Sequence, residues 1–428
     1  MTYASPISPG RSWYEDTVGE RPRYPALDGD RRVDVVVIGG GFTGLSAAAH
    51  LAKAGASVAL IEAHRFGDGA SGRNGGQLGT GQRAGAEEME AELGFTRAKA
   101  LFDLAEEAKA HLLEFAEVNA IDIDFRPGHL NVTHKPRELA EYRVHAEAMA
   151  VRFGYPHLTM MNAADARARL GSDHYVGGVR DAGTGHIHPL KLAVGTARVA
   201  AAAGAQLFEE TPSTGIASHG GKVVVSTARG TITADRCLLA TNAHGSDLEP
   251  VSAAHIMPIG SFIGATVPLG DASPVLPGGE SVSDSRFVVR YFRRAPSGEL
   301  LFGGREIYAV DDPKDIHRGI RRQIAEIYPA LKDIEITHAW GGYVGITMPR
   351  KPFVREVMPG VISAGGYSGH GVMLSNFVGK LYAETVAGNR DRLKLFEDLK
   401  IPAFPGGRRF RAPLLFLALN WYALRDRL

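Results

Sequence analysis

Three glycines, Gly39, Gly41 and Gly44, follow an apolar run with the spacing G-x-G-x-x-G, and Glu62 ends the next apolar run. In dinucleotide sites the first glycine allows a tight turn, the second lets the backbone approach a pyrophosphate, and the third lets a helix pack closely on a strand. A glutamate placed like Glu62 accepts hydrogen bonds from ribose hydroxyls, and its charge disfavours a ribose 2′-phosphate. The pattern predicts a dinucleotide other than NADP; the alternative is a glycine-rich turn without a ligand.

The elements around these glycines are the ones that such a site requires. Residues 33–38 are predicted to form a buried strand, 42–53 a helix, and 57–61 a second strand. The N-terminus of the helix would present free N–H groups and the positive end of its dipole to the phosphates. This order of elements is typical of a dinucleotide-binding unit. Further contacts are predicted at Phe42, Thr43 and Ala63.

The stretch 67–81, GDGASGRNGGQLGTG, is too rich in Gly, Ser and Asn to form a regular element. It follows Glu62 closely, so the chain could return through it to the phosphates. Its small residues would let the backbone approach a flat ring system. On composition alone, a flexible surface loop without a ligand is the alternative.

The composition of the chain bounds its class. With 428 residues it exceeds the usual size of a single core, so at least two domains are expected. The net charge of +1 gives no indication of nucleic-acid binding. The single cysteine, Cys237, excludes an internal disulfide and a thiolate-rich metal site, and no metal is predicted. Cys237 itself is expected to be a small buried side chain.

The N-terminus has no basic-then-apolar signal pattern, and no apolar run is long enough to span a bilayer, so a cytoplasmic location is predicted. Residues 413–424 are apolar, begin at Pro413 and are flanked by arginines, which predicts an amphipathic C-terminal helix. Such a helix could lie on a membrane surface. Packing on the protein's own core, or on a partner subunit of an oligomer, is the preferred alternative.

The order of predicted elements indicates an α/β fold in which a Rossmann-like nucleotide-binding domain is discontinuous in sequence. A second, α+β substrate domain on a mixed or antiparallel sheet would cover the cofactor. The glycine-rich stretch 177–188 is predicted to be a loop. The predicted divisions are an N-terminal arm, 1–32; the nucleotide-binding domain, 33–95, 160–245 and 336–400; the substrate domain, 96–159 and 246–335; and the C-terminal helix, 401–428.

Four further motifs accompany the first glycine motif in order along the chain. They are ASGRNGG at 70–76, LLATNAH at 238–244, WGGYVGIT at 340–347 and GYSGHGV at 366–372. Through them, nearly the whole chain resembles the D-amino-acid-oxidase-like, or glycine-oxidase-type, flavoprotein family. Within that family it looks most like the γ-glutamylputrescine oxidase subgroup, through Ser12-Trp13-Tyr14 and the residues that follow Phe404.

The resemblance implies FAD rather than NAD as the cofactor. It places the ADP half on the first glycine motif and Glu62, with Ser213, Thr241 and Asn242 beside it. It also implies that the chain from pyrophosphate to flavin is held by Ser71, Gly72, Arg73, Asn74, Gly75 and Gly76, and the pyrimidine side by Gly366, Tyr367, Ser368, Gly369, His370, Gly371 and Val372. Backbone N–H groups that open the following helix can stabilise negative charge on the reduced flavin.

Two positions depart from the pattern of a related enzyme, monomeric sarcosine oxidase. There a lysine just past the G-H-G glycine binds the substrate carboxylate, whereas Met373 stands here. A cysteine that tethers FAD in that enzyme has no counterpart in 340–347, which implies non-covalent FAD. We therefore expect a substrate whose carboxylate lies far from the reacting carbon, as in γ-glutamylputrescine.

The resemblance implies oxidation of the C–N bond of a small amine by hydride transfer to flavin N5, with release of aldehyde and ammonia and with reduction of molecular oxygen to hydrogen peroxide. An alkylammonium ion, with a pKa of about 10.4 like that of lysine, is a poor hydride donor, so the site must favour the neutral amine. One alternative is a membrane-associated flavin dehydrogenase that passes electrons to quinone. Another is a flavin-binding subunit without turnover of its own.

Candidate side chains for this chemistry fall into three groups. His370, Tyr343 and Tyr367 are the candidate catalytic residues, Trp340, Tyr291 and Met373 could line an apolar substrate slot, and Arg290 and Arg305 could bind a distal carboxylate. Each has an ordinary structural alternative, such as a helix-capping histidine, a core aromatic side chain or a solvated arginine.

Overall fold

A computed structural model describes residues 7, 9–245, 248–286, 288–307 and 315–406, except for the side chains of 305–307. Two predictions therefore lie outside the described residues: the C-terminal helix beyond residue 406 and the side chain of Arg305. The described chain forms two eight-stranded sheets.

Sixteen strands are assigned in the described residues. They are β1 (Arg31–Ile38), β2 (Val58–Ile61), β3 (Arg126–Thr133), β4 (Leu158–Met161), β5 (Gly177–His186), β6 (Gln206–Phe208), β7 (Ser213–His219), β8 (Lys222–Thr227), β9 (Gly230–Leu239), β10 (Met257–Pro268), β11 (Ser281–Asp284), β12 (Tyr291–Arg294), β13 (Glu299–Ile307), β14 (Ile336–Ile346), β15 (Phe353–Met358) and β16 (Val361–Gly365).

Eleven α-helices accompany them in the same ranges. They are α1 (Trp13–Thr17), α2 (Phe42–Lys53), α3 (Ala86–Leu93), α4 (Phe95–Val118), α5 (Glu138–Val151), α6 (Ala163–Leu170), α7 (Pro189–Ala202), α8 (Pro250–His255), α9 (Ile316–Ile327), α10 (Gly371–Val386) and α11 (Asp391–Glu397). None of these described helices is both long and apolar enough to cross a bilayer.

The first sheet has the order β15-β16-β9-β1-β2-β6, and the β7–β8 hairpin continues it from β9. The pairs β1–β2, β1–β9, β2–β6 and β9–β16 are parallel. Strands of such a sheet are covered on both faces and so are apolar without alternation. Val35, Val36 and Val37 are accordingly all fully buried. The predicted α/β class with a Rossmann-like sheet is confirmed.

The second sheet has the order β14-β10-β13-β12-β11-β3-β5-β4. Its strand pairs are antiparallel except for β3–β11, so it is the mixed sheet that the sequence predicted. Helix α9 lies against β10, β13 and β14. It buries Ile316, Ile320, Ile324 and Ile327, which fall on one face at helical spacing.

The main difference from the predicted elements is the stretch 177–188, expected to be a loop. Residues Gly177–His186 form β5, which pairs between β3 and the edge strand β4 of the second sheet. The glycines that argued for a loop are needed in the strand: a Cβ on Gly178 would lie 2.1 Å from the Asn131 carbonyl oxygen, and one on Gly185 would lie 2.2 Å from that of Arg126. Strand β14 also pairs in this sheet, although its residues were assigned to the nucleotide-binding domain.

Candidate active site

The first glycine motif lies at the carboxyl end of β1, where three side chains would not fit. A Cβ on Gly39, which has φ +109°, would lie 2.7 Å from the Ala240 carbonyl oxygen. A Cβ on Gly44 would lie 1.9 Å from the Gly39 carbonyl oxygen, and one on Gly41 would lie 2.8 Å from Ser71 Oγ. The turn into α2 is therefore closed to any larger residue, as a site that brings backbone to a phosphate requires.

Glu62 stands at the end of β2, directly beside this turn. Its Oε2 accepts a hydrogen bond from the Gly40 N–H at 2.7 Å, and its Oε1 accepts one from the His64 N–H at 3.0 Å. Burial raises the pKa of Glu62, and these backbone N–H groups oppose the rise. The carboxylate retains further acceptor positions for ribose hydroxyls. Ala63, which follows it, is exposed.

The predicted ADP-side residues converge on the same edge. Thr241 follows β9, and its N–H would lie 3.2 Å from a Cβ on Gly39. Asn242 Oδ1 accepts from the Gly366 N–H at 2.8 Å, which joins two of the quoted motifs. Ser213 opens β7, two residues after Thr211, whose N–H bonds to the Glu62 carbonyl oxygen.

The loop 70–76 folds back onto the start of α2. Ser71 Oγ accepts a hydrogen bond from the Phe42 N–H at 2.9 Å. Asn74 shapes the loop from within: its Nδ2 donates to the Ala70 and Ser71 carbonyl oxygens, and its Oδ1 accepts from the Gly76 N–H. Close approach also excludes side chains at Gly72 and Gly76, where a Cβ would lie 2.3 and 2.2 Å from carbonyl oxygens.

The side chain of Arg73 has a different role from the one predicted. It is buried, and its guanidinium donates to the carbonyl oxygens of Gly341 at 2.7 Å and Pro9 at 2.9 Å and pairs with Glu15 at 3.2 Å. Arg73 therefore fastens the N-terminal arm over the loop, while the residue itself still lines the cavity described below.

The motif 366–372 forms the turn from β16 into α10. Gly366 and Gly369 have positive φ, and so does Ser368, whose N–H donates to the Gly345 carbonyl oxygen at 3.0 Å. The Tyr367 hydroxyl lies 3.0 Å from Thr43 Oγ1, so this turn is tied to α2. Tyr367 is buried outside the cavity lining, and burial raises its pKa. It therefore ties the turn to α2, and its side chain lies outside the cavity in which the reaction is expected.

His370 stands at the N-cap position of α10 without a side-chain capping bond. Its Nε2 lies 3.1 Å from the Gly81 carbonyl oxygen, which can only accept, so Nε2 carries the proton and Nδ1 is an acceptor. Burial first, and then the charges of Arg83 and Lys109, lower the pKa of His370 to about 4 against the opposing effect of the bond to Gly81. The imidazole is therefore neutral at pH 7.

A cavity of about 530 Å³ opens beside the start of α10. Its walls come from the glycine-rich loop, from α5, from the second sheet and from the turn before α10. Among the predicted residues, the lining includes Arg73, Asn74, Gly75, Gly76, Tyr291, Ser368, Gly369, His370 and Val372.

The predicted aromatic slot is only partly formed. The Tyr291 hydroxyl lies 3.1 Å from Ser261 Oγ, and its ring lines the cavity beside Gly75. Trp340 is fully buried elsewhere, and its Nε1 donates to the Arg73 carbonyl oxygen at 3.0 Å. Tyr343 lies one position off the cavity-lining residues of β14, so it faces away, with its ring against His244.

Two further predicted substrate contacts lie outside the cavity lining. Met373 is fully buried in the core, so its side chain does not decide which substrate is bound. Arg290 forms an ion pair with Glu326 of α9 and points away from the cavity. For Arg305 only the backbone is described, which pairs with Phe262 in the second sheet.

The cavity also contains charged residues that the sequence did not indicate. Asp181 of β5 and His129 of β3 line it on one side, and Arg83 and Arg350 also belong to the lining. Asp181 was missed because β5 was taken for a loop, and the other three carry no local motif. Among the described residues, no group of three or more His, Cys, Asp or Glu side chains could hold a metal ion.

Comparison with known proteins decides the family. The family model described as FAD dependent oxidoreductase matches residues 34–385. The chain belongs to this family. A probable oxidoreductase OrdL from Rhizobium meliloti (strain 1021) is 63% identical over 427 residues and covers 100% of both chains. The gamma-glutamylputrescine oxidoreductase of Escherichia coli (strain K12) is 35% identical over 97% of this chain and 98% of its own.

The fold agrees with this membership. The crystal structure of glycine oxidase from Geobacillus kaustophilus superposes with a TM-score of 0.71 at 23% identity, over 88% of this chain and 98% of that one. The predicted cofactor, FAD, and the predicted flavoprotein family are confirmed. The glycine turn, with its excluded side chains and the N-terminus of α2, is a cradle that fits the FAD pyrophosphate.

Proposed function

We propose that this protein is an FAD-dependent oxidase of an amine whose carboxylate lies far from the oxidised carbon, with γ-glutamylputrescine as the model substrate. The observation that carries the proposal is the charge of the cavity: the buried carboxylate of Asp181 lines it together with Arg83 and Arg350. A cavity with charges of both signs suits a ligand that carries a cation and an anion. The name of the E. coli relative points to the same class of substrate.

The size of the cavity agrees with such a ligand. Sites for small organic molecules usually have volumes of about 300–1,000 Å³ and place a few polar groups in an apolar lining. The cavity of about 530 Å³ falls within this range, and this volume includes the space beside Asn74, Gly75 and Gly76 in which the flavin is expected. Tyr291, Val344 and Ile346 supply part of its apolar surface. A four-carbon diamine chain could lie along these side chains.

Bound FAD supplies the acceptor of a hydride from the carbon beside the amino group, and the protein supplies position and electrostatics. The first N–H groups of α10 have no partner within the helix, and the lining residues 368–372 place this end at the cavity. These N–H groups can stabilise negative charge that develops nearby. Neutral His370 adds no cation of its own that would repel an incoming ammonium group.

The proposed products follow from the chemistry of the oxidised carbon. Loss of a hydride and a proton converts the amine to an imine, and water hydrolyses the imine to an aldehyde and ammonia. Molecular oxygen takes up the two electrons and two protons as hydrogen peroxide. Since 340–347 contains no cysteine, we expect the FAD to be held without a covalent bond.

The test is anaerobic reduction of the bound flavin, followed at its visible absorption band. We expect γ-glutamylputrescine to bleach the band faster, at equal concentration, than putrescine, sarcosine or glycine. Faster bleaching by sarcosine or glycine would contradict the proposed substrate class. In air, the same substrate should consume oxygen and yield peroxide, whereas reduction of a dye or quinone without oxygen uptake would indicate a dehydrogenase.

A further inference from the structure

The cavity wall contains a buried carboxylate that the proposed mechanism has not used. Asp181 is 2% exposed and lines the cavity. Its Oδ1 accepts hydrogen bonds from the Tyr155 hydroxyl at 2.6 Å and the Gly183 N–H at 2.9 Å. Its Oδ2 accepts one from the Thr80 hydroxyl at 2.6 Å. The carboxylate is thus held in place by neutral donors.

A buried lysine fixes the direction of these hydrogen bonds. Lys109 Nζ lies 3.1 Å from Thr80 Oγ1, 3.3 Å from the Tyr155 hydroxyl oxygen and 3.0 Å from the Gly183 carbonyl oxygen. An ammonium group has three protons, which Lys109 shares among these three oxygens and Glu106, and it accepts none. Toward Lys109 each hydroxyl can therefore only accept, which leaves the two hydroxyl protons for Asp181. Distances of about 2.6 Å are typical of hydroxyl bonds to an ionised carboxylate. The arrangement therefore holds Asp181 as an anion.

The charges of this cluster do not cancel. Lys109 pairs with Glu106 at 2.7 Å, and burial raises the pKa of Glu106 while Lys109 opposes the rise. With the Lys109–Glu106 pair neutral as a whole, Asp181 gives this cluster one negative charge in excess, while Arg83 and Arg350 line the cavity outside the cluster. A buried charge without a counter-ion is costly, so the wall is suited to an incoming cation.

The cluster is joined directly to the start of α10. Thr80 lies in the tripeptide 79–81. In this tripeptide the Gly81 carbonyl oxygen accepts a hydrogen bond from His370, and the Gly81 N–H donates one to Glu106 at 3.0 Å. A Cβ on Gly79 would lie 2.2 Å from the His370 ring. Asp181 and His370 are thus held against the same three residues, at the end of the cavity where the proposed chemistry takes place.

We propose that Asp181 binds the reacting amino group as an ammonium ion and then accepts its proton. This inference rests on the proposed amine oxidation. One N–H bond breaks, its electron pair stays on nitrogen, and an O–H bond forms on the carboxylate. The nitrogen pair then forms the C=N bond as the hydride leaves the neighbouring carbon for FAD. Burial favours the uncharged amine and acid over the ion pair, which makes this transfer possible.

Other ionisable groups that face Asp181 do not compete for the proton at pH 7. Burial lowers the pKa of His129, on β3, to about 4, although Asp181 raises it. Burial, with Asp181 next, raises the pKa of Tyr155, so its hydroxyl stays protonated. Lys109 and Glu106 of α4 are engaged with one another. Thr80 and Tyr155 are positioning residues, because they act through Asp181.

The test uses the FAD-loaded full chain with Asp181→Asn, a change that keeps size and removes charge. In anaerobic stopped-flow reduction by γ-glutamylputrescine, we expect the limiting rate to fall about 100-fold or more, as on loss of a general base. The substrate dissociation constant should rise at least tenfold. If a carboxylate accepts the proton, the wild-type rate should fall toward acid pH, and this fall should be absent in Asp181→Asn. N-butyl-γ-glutamamide, which keeps the glutamyl α-amino group but lacks the terminal amino group that is oxidised, should inhibit both proteins equally.

The matched control is Asp124→Asn, which removes the same charge from a carboxylate that pairs with Lys191 at 2.8 Å and lies outside the cavity lining. It should leave the rate, its pH profile and the dissociation constant within about threefold of the wild type. If Asp181→Asn does not fold, Tyr155→Phe provides the second variant. It removes one hydrogen-bond donor from Asp181 and should slow reduction of the bound flavin about tenfold.

The outcomes separate the two proposals. In one outcome, the amine reduces the flavin of the wild type, and Asp181→Asn or Tyr155→Phe, fully loaded with FAD, is reduced equally fast. This outcome would overturn the role of Asp181 but not the proposed function. Wild-type flavin that no amine reduces would overturn the proposed function and this inference with it. Loss of the acid limb in Asp181→Asn, with unchanged inhibition by the butylamide, would support both.

Discussion

The two sheets build their parts of the site by different means. Beside the first sheet, the cofactor cradle consists of backbone: Gly39, Gly41 and Gly44 leave space, and the N-terminus of α2 supplies donors. Beside the second sheet, the cavity depends on side chains. Asp181 comes from β5 and Lys109 from α4, and they meet only in the folded protein.

This difference separates what is shared in a family from what differs within it. A pyrophosphate is the same in every FAD enzyme, and a backbone turn that excludes side chains binds it without regard to the substrate. The substrate is distinguished by charges and shapes that side chains must supply. FAD binding by the cofactor cradle, the first half of the site, should therefore respond to changes in side-chain volume. Substrate binding in the cavity, the second half, should respond to changes in charge.

The largest expected effect comes from adding one methyl group to the cradle. Gly44→Ala would place a Cβ 1.9 Å from the Gly39 carbonyl oxygen, so the turn must move away from the phosphates. We expect the FAD dissociation constant to rise at least 100-fold, or about 3 kcal/mol. The control is Gly215→Ala in β7, where a Cβ meets nothing within 4 Å. Stoichiometric FAD in purified Gly44→Ala would contradict a backbone cradle.

A smaller loss is expected where a side chain serves the cradle. Glu62→Gln removes a charged acceptor and should weaken FAD binding by about 1.5–3 kcal/mol. At saturating FAD, the rate of flavin reduction should not change, because Glu62 lies at the ADP half. Glu210→Gln is the control: this residue is exposed and forms only a 3.5 Å surface pair with Arg23. A large fall in the rate of flavin reduction in Glu62→Gln would instead indicate that Glu62 lies beside the flavin ring.

The same division decides what the sequence could predict. The glycines, the acid after β2 and the turn before α10 are local patterns, and the structure places them around one edge of the first sheet. Trp340, Tyr343 and Met373 were assigned to the cavity by their types and by resemblance, yet strand alternation and core packing turn them elsewhere. Asp181 was invisible because its strand is stabilised by pairing with β3 and β4, which no local pattern records.

Two arginines test the charge of the cavity. We expect Arg83→Met to raise the dissociation constant of γ-glutamylputrescine about tenfold, or about 1.4 kcal/mol, because Arg83 lines the cavity. Putrescine, which has no carboxylate, should bind this variant no more weakly than the wild type. Arg290→Met should have no effect on either ligand, since that guanidinium pairs with Glu326 outside the cavity. Weaker binding in Arg290→Met alone would restore the assignment made from sequence.

The smallest effect concerns stability in acid and follows from the buried imidazole of His129 in the cavity wall. Burial lowers its pKa from the usual 6.5 to about 4. As the pH falls below 6.5, His129 of the unfolded chain binds a proton, whereas His129 of the folded chain stays neutral until about pH 4. The contribution of this group to stability is therefore present above pH 6.5 and is lost between pH 6.5 and about pH 4. Near pH 5 the free energy of unfolding should fall by about 1.2 kcal/mol per pH unit because of this group.

His129→Gln does not titrate and can still bond to Ser281, whose hydroxyl lies 2.7 Å from His129 Nδ1. The free energy of unfolding of this variant, measured with denaturant between pH 7 and 4.5, should therefore depend less steeply on pH than that of the wild type, by about 1.2 kcal/mol per pH unit near pH 5. The exposed His219→Gln, on the β7–β8 hairpin of the first sheet, should leave the slope unchanged. An equal slope in His129→Gln and the wild type would mean that the cavity wall does not exclude the charged imidazole. Charge would then not be what distinguishes the second half of the site from the first.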